Sequence, residues 1–325
     1  MKTFMAAGAL FVLLATSALA LDPPASDSPA VKAHIAKAKA LAPIKSSSGS
    51  DFVFFEDRYC RPTNADESAE QVKMWRAMNV PAARVFDNLY YVGHAQYGAW
   101  VVKTSAGLIL YDALDSPDEA KQYIEGGMAK LGLDPKDIKY MIVTHGHGDH
   151  YGGAKYLQDK YGMRVALSAP DWAFMASQPV TARRGPPPKQ DMDIADGQVL
   201  TLGDTSLKLI LTPGHTPATI SSIFTVTDHG TKHVVSFWGG TGLPTAKAPL
   251  TQYEASIHKL WDAGKAAGAD TLISNHPYLD TTLDALPKLA VRKADQQHPF
   301  VIGQASYDRY MTILNECTLA ALGRL

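Results

Sequence analysis

The stretch that most constrains this chain is Thr144–Gly153, THGHGDHYGG, which packs His145, His147, Asp149 and His150 into six residues. It follows an apolar run, Tyr140–Val143, that reads as a buried β-strand. In an extended or loosely turning segment, side chains two apart share a direction, so His145 and His147 are expected to grip one metal ion together. Asp149 and His150 emerge past the turn and are expected to face a second ion. Gly146 and Gly148 let the backbone fold tightly between the donors. Donors this dense, in the order His-x-His-x-Asp-His at a strand end, point to a metal centre and not to a polar surface loop.

Two more histidines complete the set. His215 sits in Pro213-Gly214-His215-Thr216-Pro217 after the apolar strand Ser206–Leu211, and His276 holds the matching place after Leu272-Ile273-Ser274. His145, His147 and His215 would make a tetrahedral zinc site with one position open. Asp149, His150 and His276 would hold a second zinc, so two Zn2+ per chain are expected. Two such ions lower the pKa of a water from about 15.7 to near 7 and polarise a carbonyl, which is hydrolysis chemistry. Asp149 then has a second, catalytic role in orienting the attacking hydroxide. No Gly-x-Ser-x-Gly or Gly-rich phosphate loop competes for the role. His94, in a loop between early strands, is expected to overhang the site as a substrate contact; His34, His229, His233, His258 and His298 read as surface or turn residues.

The chain ends add a compartment. Lys2, the apolar run Ala6–Ala15 and the small-x-small triplet Ala18-Leu19-Ala20 read as a signal peptide over residues 1–20, with the mature chain starting at Leu21. The run is short for a membrane span, and no later stretch reaches the roughly 20 apolar residues needed. The expected location is therefore a periplasm or beyond, with no membrane association after cleavage. Residues 21–50, rich in Ala, Pro, Ser and Lys, read as a flexible leader with a helical turn through Val31–Ala40, and 51–325 as the catalytic domain. Charge is nearly balanced, 31 Lys+Arg against 32 Asp+Glu, with no basic stripe. That argues against a nucleic-acid partner and leaves a small-molecule substrate. Cys60 and Cys317 are expected to form one disulfide tying the N-terminal arm to the C-terminal helix.

Along the chain, strand-like runs fall at 83–93, 99–104 and 108–112 as a meander, followed by a helix from Pro117 to about Leu131 with Ser116 as its N-cap. The pattern strand 140–143, helix 153–161, strand 164–168 and short helix 169–176 leads to a stiff exposed loop, 179–190, carrying Arg183 and Arg184 at a possible cleft mouth. Strands at 199–202, 206–211, 220–227 and 232–237 precede a helix 251–267, a strand 271–274 and two helices at 283–295 and 304–322. Meander, helix and strand, repeated, predict an α/β (α+β) class: two packed mixed sheets with helices outside, and the histidine segments meeting at one edge.

These residues resemble the metallo-β-lactamase superfamily, with its αββα sandwich and dinuclear site. The likeness runs from about Ala83 to the C-terminus and is most similar to the third subclass of metallo-β-lactamases, through His145-x-His147-x-Asp149-His150, Asp87–Gly93, Asp196-Gly197, Thr212–Pro217, Asn275-His276-Pro277 and His298–Val301 with Tyr307. The resemblance implies an exported dizinc hydrolase that opens β-lactam rings, with His145, His147 and His215 at one ion and Asp149, His150 and His276 at the other. Most other hydrolases of the superfamily place a bridging aspartate after the strand 234–237; here Trp238-Gly239-Gly240-Thr241 carries no carboxylate or thiol. Where relatives of the subclass carry serines near 239–244, this chain has Thr241, expected to touch substrate. A lactonase or esterase on the same site is the within-class alternative, and a catalytically silent periplasmic metal- or ligand-binding protein the other.

Overall fold

The computed structural model describes residues 27–62, 69–181 and 185–325. The signal-peptide reading and the arginine pair Arg183–Arg184 lie outside the described residues. Two sheets form the frame. The first has seven strands in sequential order: β1 (Ala83–Phe86), β2 (Leu89–Tyr91), β3 (Trp100–Thr104), β4 (Gly107–Tyr111), β5 (Ile138–Ile142), β6 (Arg164–Ser168) and β7 (Met192–Ile194). The second has five: β8 (Val199–Leu202), β9 (Thr205–Leu211), β10 (Ile220–Asp228), β11 (Thr231–Trp238) and β12 (Thr271–Ser274), in the order β12-β11-β10-β9-β8. Both are mixed. β1 to β4 pair antiparallel and β4 to β7 parallel, while β8 to β11 pair antiparallel and β12 adds in parallel to β11.

The sheets pack face to face because both strand sets bury apolar side chains between them. Val102, Ile109 and Tyr111 of the first sheet share one core with Leu207, Phe224 and Phe237 of the second. Tyr111 stacks on Phe237 at 4.7 Å and its hydroxyl meets Ser222 Oγ at 2.8 Å, so this inward ring also satisfies its polar end. Burying each such side chain contributes roughly 1.5–3 kcal/mol. Helices cover the outer faces. Ala120, Ile124, Met128, Ala154 and Leu157 pack under the first sheet; the helices Lys247–Ala267 and Gln304–Leu322 close the second through Ile257, Leu260, Tyr307 and Tyr310. The expected αββα sandwich is the fold observed.

Three expectations need correction. The run 83–93 is not one strand: a tight turn at Asp87–Asn88 folds it into the hairpin β1–β2, and its apolar alternation hid the turn. The expected flexible leader, 21–50, holds a helix over Pro29–Leu41 (α1), N-capped by the Ser28 side chain, with Val31 and Ala38 buried. Its low-complexity composition gave no apolar stripe; its order comes from packing on the C-terminal helix, where His34 and Lys37 both reach Glu316, at 2.7 and 2.6 Å. A second helix, Val53–Cys60 (α2), follows, and Cys60 is joined to Cys317 as expected. Lastly, His298 is buried, not a surface residue: its ring stacks on Phe86 and Nε2 donates to the Val85 carbonyl. The helix from Pro117 begins at Ser116 as foreseen but passes through a π-helical segment, Ala120–Glu125, before ending at Lys130.

Candidate metal centre

Strand direction sets the site. β4 and β5 run parallel, and β9, β11 and β12 share one direction in the other sheet, so the segments after β4, β5, β9, β11 and β12 emerge at one edge of the sandwich. The Ile220 N–H donates to the Thr144 carbonyl and the Gly98 N–H to the Asn275 carbonyl, tying the two sheets together there. Gly146 is required in the histidine loop, since a Cβ on it would stand 2.9 Å from the Asp171 carbonyl and 2.9 Å from the Phe174 ring.

Six donors converge in two groups. His145, His147 and His215 bring their ligand nitrogens within 4.8 Å of one another, and Asp149, His150 and His276 do the same. In the first group, His145 Nε2 and His147 Nδ1 each lie 3.1 Å from His215 Nε2. In the second, His150 Nε2 lies 3.2 Å from His276 Nε2, and Asp149 Oδ2 lies 3.4 and 3.7 Å from these two nitrogens. Ligands about 2.0–2.1 Å from a tetrahedral zinc stand roughly 3.3 Å apart, so both groups fit a zinc ion. The six metal-ligating residues read from the sequence are therefore brought together.

The rings are oriented from behind. His145 Nδ1 donates to the Gly239 carbonyl at 2.9 Å, His215 Nδ1 to the Gly242 carbonyl at 2.7 Å and His276 Nδ1 to the Gln96 carbonyl at 3.0 Å. A carbonyl only accepts, so these three rings carry their proton on Nδ1 and present the Nε2 lone pair inward. His150 Nδ1 donates to Asp112 Oδ2 at 2.8 Å, and Asp112 also accepts from the Thr144 N–H and hydroxyl. Asp171 accepts from the Gly146 and Ala218 N–H groups at 2.9 and 2.6 Å, clamping the loops that carry His147 and His215. Asn275 donates to Gly239 O at 2.6 Å and Thr144 Oγ1 at 3.1 Å.

Charge follows from these surroundings. Burial, with the neighbouring histidines, holds His145 well below the ordinary histidine range and pushes His215 and His276 down to about 3. That is the neutral form a metal needs. Burial works against charge on His150, but Asp149 and Asp112 outweigh it and push its pKa up to about 10. Asp149 is held well below the carboxylate range: burial opposes this, and His150 with the other imidazoles overcomes it.

A cleft of about 240 Å³ opens over the donors, lined in part by His147, Asp149, His215, His276 and Thr241. Thr241 lines it as expected, although its hydroxyl is buried and directed at Asn275 Oδ1 at 3.5 Å. His94 does not line the cleft. It is buried, with Nε2 3.4 Å from Glu119 and its ring against Tyr97 and Tyr123. Sequence reasoning missed Asp112, Asp171 and the α2 residues Arg58 and Tyr59 that, with Arg61 just past the helix, reach the cleft wall. Asp112 has one local signal, a backbone at φ 60 that aspartate tolerates better than most residues.

The family model of the metallo-beta-lactamase superfamily matches residues 95–228, which span β3 to β10 and carry five of the six donors, on the loop after β5 and the turn after β9. That match covers about two fifths of the chain. Among solved structures it is similar to a subclass B3 metallo-beta-lactamase of Bradyrhizobium japonicum, at 29% identity and TM-score 0.64, covering 75% of this chain and 94% of that one. It is also similar to a subclass B3 metallo-beta-lactamase isolated from a soil metagenome library, at 28% identity and TM-score 0.58, covering 71% and 91%. Among curated proteins it is 30% identical over 126 residues to a hydroxyacylglutathione hydrolase of Acidiphilium cryptum, covering 39% of this chain and 44% of that protein. A hydroxyacylglutathione hydrolase of Rhodopseudomonas palustris is 34% identical over 112 residues, covering 34% and 37%. The chain thus spans about two fifths of the length of these curated relatives.

Proposed function

We propose that the protein is an exported dizinc hydrolase that opens β-lactam rings. The observation that carries this is the pair of three-donor groups, His145–His147–His215 and Asp149–His150–His276, sharing one cleft with their rings already oriented. Zinc bound there would supply a water activated near neutral pH and a Lewis acid for the amide carbonyl. The chain's own groups do the rest. Carbonyls of Gly239, Gly242 and Gln96 fix three imidazoles, and Asp112 fixes the fourth. Asp149, ionised and at the cleft wall, orients the nucleophilic water by accepting its proton in a hydrogen bond. As the C–N bond breaks, the freed amide nitrogen, still tethered in the opened product, would take its proton from solvent.

The end of β11 supports a β-lactam substrate over a glutathione thioester. A bridging carboxylate has no room there: a Cβ on Gly239 would stand 1.9 Å from the Ile220 carbonyl, and one on Gly242 2.8 Å from His215 Cε1. Similarity supports the same reading, since the lactamase neighbours align over more than nine tenths of their length. Export rests on residues 1–20 and on the Cys60–Cys317 disulfide, which belongs in an oxidising compartment. Among the described residues no helix is long and apolar enough to cross a membrane.

The test sets a carbapenem and a chromogenic cephalosporin against a glutathione thioester and a simple lactone, each with zinc-loaded protein. Turnover of the two β-lactams at least a hundredfold above the others is expected. Preference for the thioester or the lactone would move the protein to the lactonase–esterase alternative. Zinc uptake without turnover of any of the four would favour the silent metal-binding alternative.

A further inference from the structure

The cleft has a second wall that owes nothing to the metal loops. α2 is short, and three of its residues anchor it. Phe55 stacks on Tyr310 at 4.0 Å, Cys60 is bonded to Cys317, and the Tyr59 hydroxyl donates to the Thr241 carbonyl. These contacts hold the C-terminal end of α2 against the rim of the metal cleft, where Arg58 and Arg61 both line it. The two are three residues apart at a helix end, a spacing that puts side chains on one side. Arg61 itself stands just past the helix in extended backbone, at φ −70 and ψ 163.

Set apart from the metal-binding histidines and Asp149, these two guanidiniums are the charged groups lining the cleft among the described residues. Neighbouring lining groups offer little in competition: Leu243 and Leu279 are apolar, and the Thr241 hydroxyl is turned to Asn275. Arg61 is held ready without being used up. Its Nη2 donates to Asp57 Oδ2 at 2.7 Å and its Nε to the Asp57 carbonyl at 3.2 Å, yet the Asp57 side chain is 69% exposed. With its carboxylate this open to water the pair is weak; the Arg61 side chain is itself 27% exposed, and its planar fork can turn one edge to a second carboxylate.

We propose that Arg58 and Arg61 form a carboxylate-reading rim that selects substrates bearing an anionic group remote from the scissile carbonyl. The substrate role rests on the hydrolase reading above; the anion binding does not. Two cations at a cleft mouth also raise the local concentration of an anionic ligand, an effect that salt screens. The disulfide and the Tyr59 contact make the rim a fixed wall, so it discriminates by charge position as well as by charge.

The experiment compares a chromogenic cephalosporin carrying its free carboxylate with the methyl ester of the same compound. Zinc-loaded full-length protein, Arg61→Gln, Arg61→Lys and the double variant Arg58→Gln/Arg61→Gln are assayed with both. In the double variant the acid-over-ester preference in kcat/KM is expected to fall at least tenfold, with the loss carried by KM. Arg61→Lys should lie between wild type and Arg61→Gln, and added salt should erode the wild-type preference. A preference unchanged within twofold in the variants overturns the proposal. Arg61→Gln alone, whose lost hydrogen bonds go to Asp57 four residues earlier, decides the matter should the double variant not fold. If wild type turns over neither compound, the hydrolase reading fails and calorimetry with the same pair reads the rim directly. Tighter binding of the acid that the variants lose upholds it; equal loss for acid and ester overturns it.

Discussion

His145 and His215 meet His147 as neutral imidazoles steadied by main-chain carbonyls, whereas Asp149, His150 and His276 meet around buried carboxylate charge. In the first group, burial and the neighbouring imidazoles keep His145 and His215 unprotonated, so the ion meets their ready lone pairs. In the second, His150 sits between Asp112 and Asp149 and holds a proton that an incoming cation must displace. The contrast teaches that two ion sites a few residues apart in sequence are tuned separately. One is set by backbone geometry, the other by acidic partners, and the acidic one also supplies the residue with a proton-handling role.

The sharpest way to break this contrast is Asp149→Ala. It removes a donor and the water-orienting carboxylate together, so hydrolysis should fall about 10²- to 10⁴-fold while zinc uptake drops from two ions toward one. Metal analysis beside steady-state rates checks this, and retention of both ions with full activity would dissolve the distinction. Asp112→Asn is milder. It keeps the shape behind His150 and loses the charge, which should weaken the second zinc about 10- to 100-fold and leave the first unchanged in a competition titration with a chromophoric chelator.

Proton linkage gives the next effect. His215 is already neutral above about pH 3, whereas His150 keeps its proton up to about 10. Between roughly pH 5 and 8 the second zinc should therefore release a proton on binding and lose about tenfold in affinity for each unit of acidification. The first zinc should show a nearly flat profile over that range. Equal slopes for the two ions, in calorimetry across buffers of different ionisation enthalpy, would contradict the assignment.

Why the donors were legible and their supports were not has a physical reason. Metal ligation imposes short, local spacing, so His145, His147, Asp149 and His150 announce themselves, and His215 and His276 follow because each ends an apolar strand. Asp112 lies 38 residues before His150 and Asp171 lies 47 before Ala218, so only the folded sheets bring each pair together. For α1 the sequence supports only a helical turn through Val31–Ala40 in a mobile leader, because the full helix draws its order from docking on the C-terminal helix and not from its own pattern. His94 is ambiguous because a loop histidine between strands looks the same in sequence whether it faces the cleft or packs against Glu119. The sandwich itself was readable from strand and helix order; the hairpin turn at Asp87–Asn88, buried in apolar alternation, was not.

The smallest effect on either ion site should come from the disulfide. Cys60 and Cys317 close a loop with a sequence separation of 257, so the double Cys→Ala variant should lose about 4–5 kcal/mol of stability. Denaturant midpoints with and without reductant measure this loss. Both zinc affinities should stay at wild-type values, because α2 supplies no donor. Loss of zinc in the folded variant would mean that the N-terminal arm supports the metal loops directly.

The measurement that tests the central claim most directly is a zinc titration of chelated protein, followed by hydrolysis of a carbapenem at fixed pH. The account predicts negligible turnover without zinc, and a rise that reaches its plateau at about two equivalents as the second group fills. No turnover at any zinc level, or a plateau at one equivalent with the Asp149–His150–His276 group empty, would contradict it.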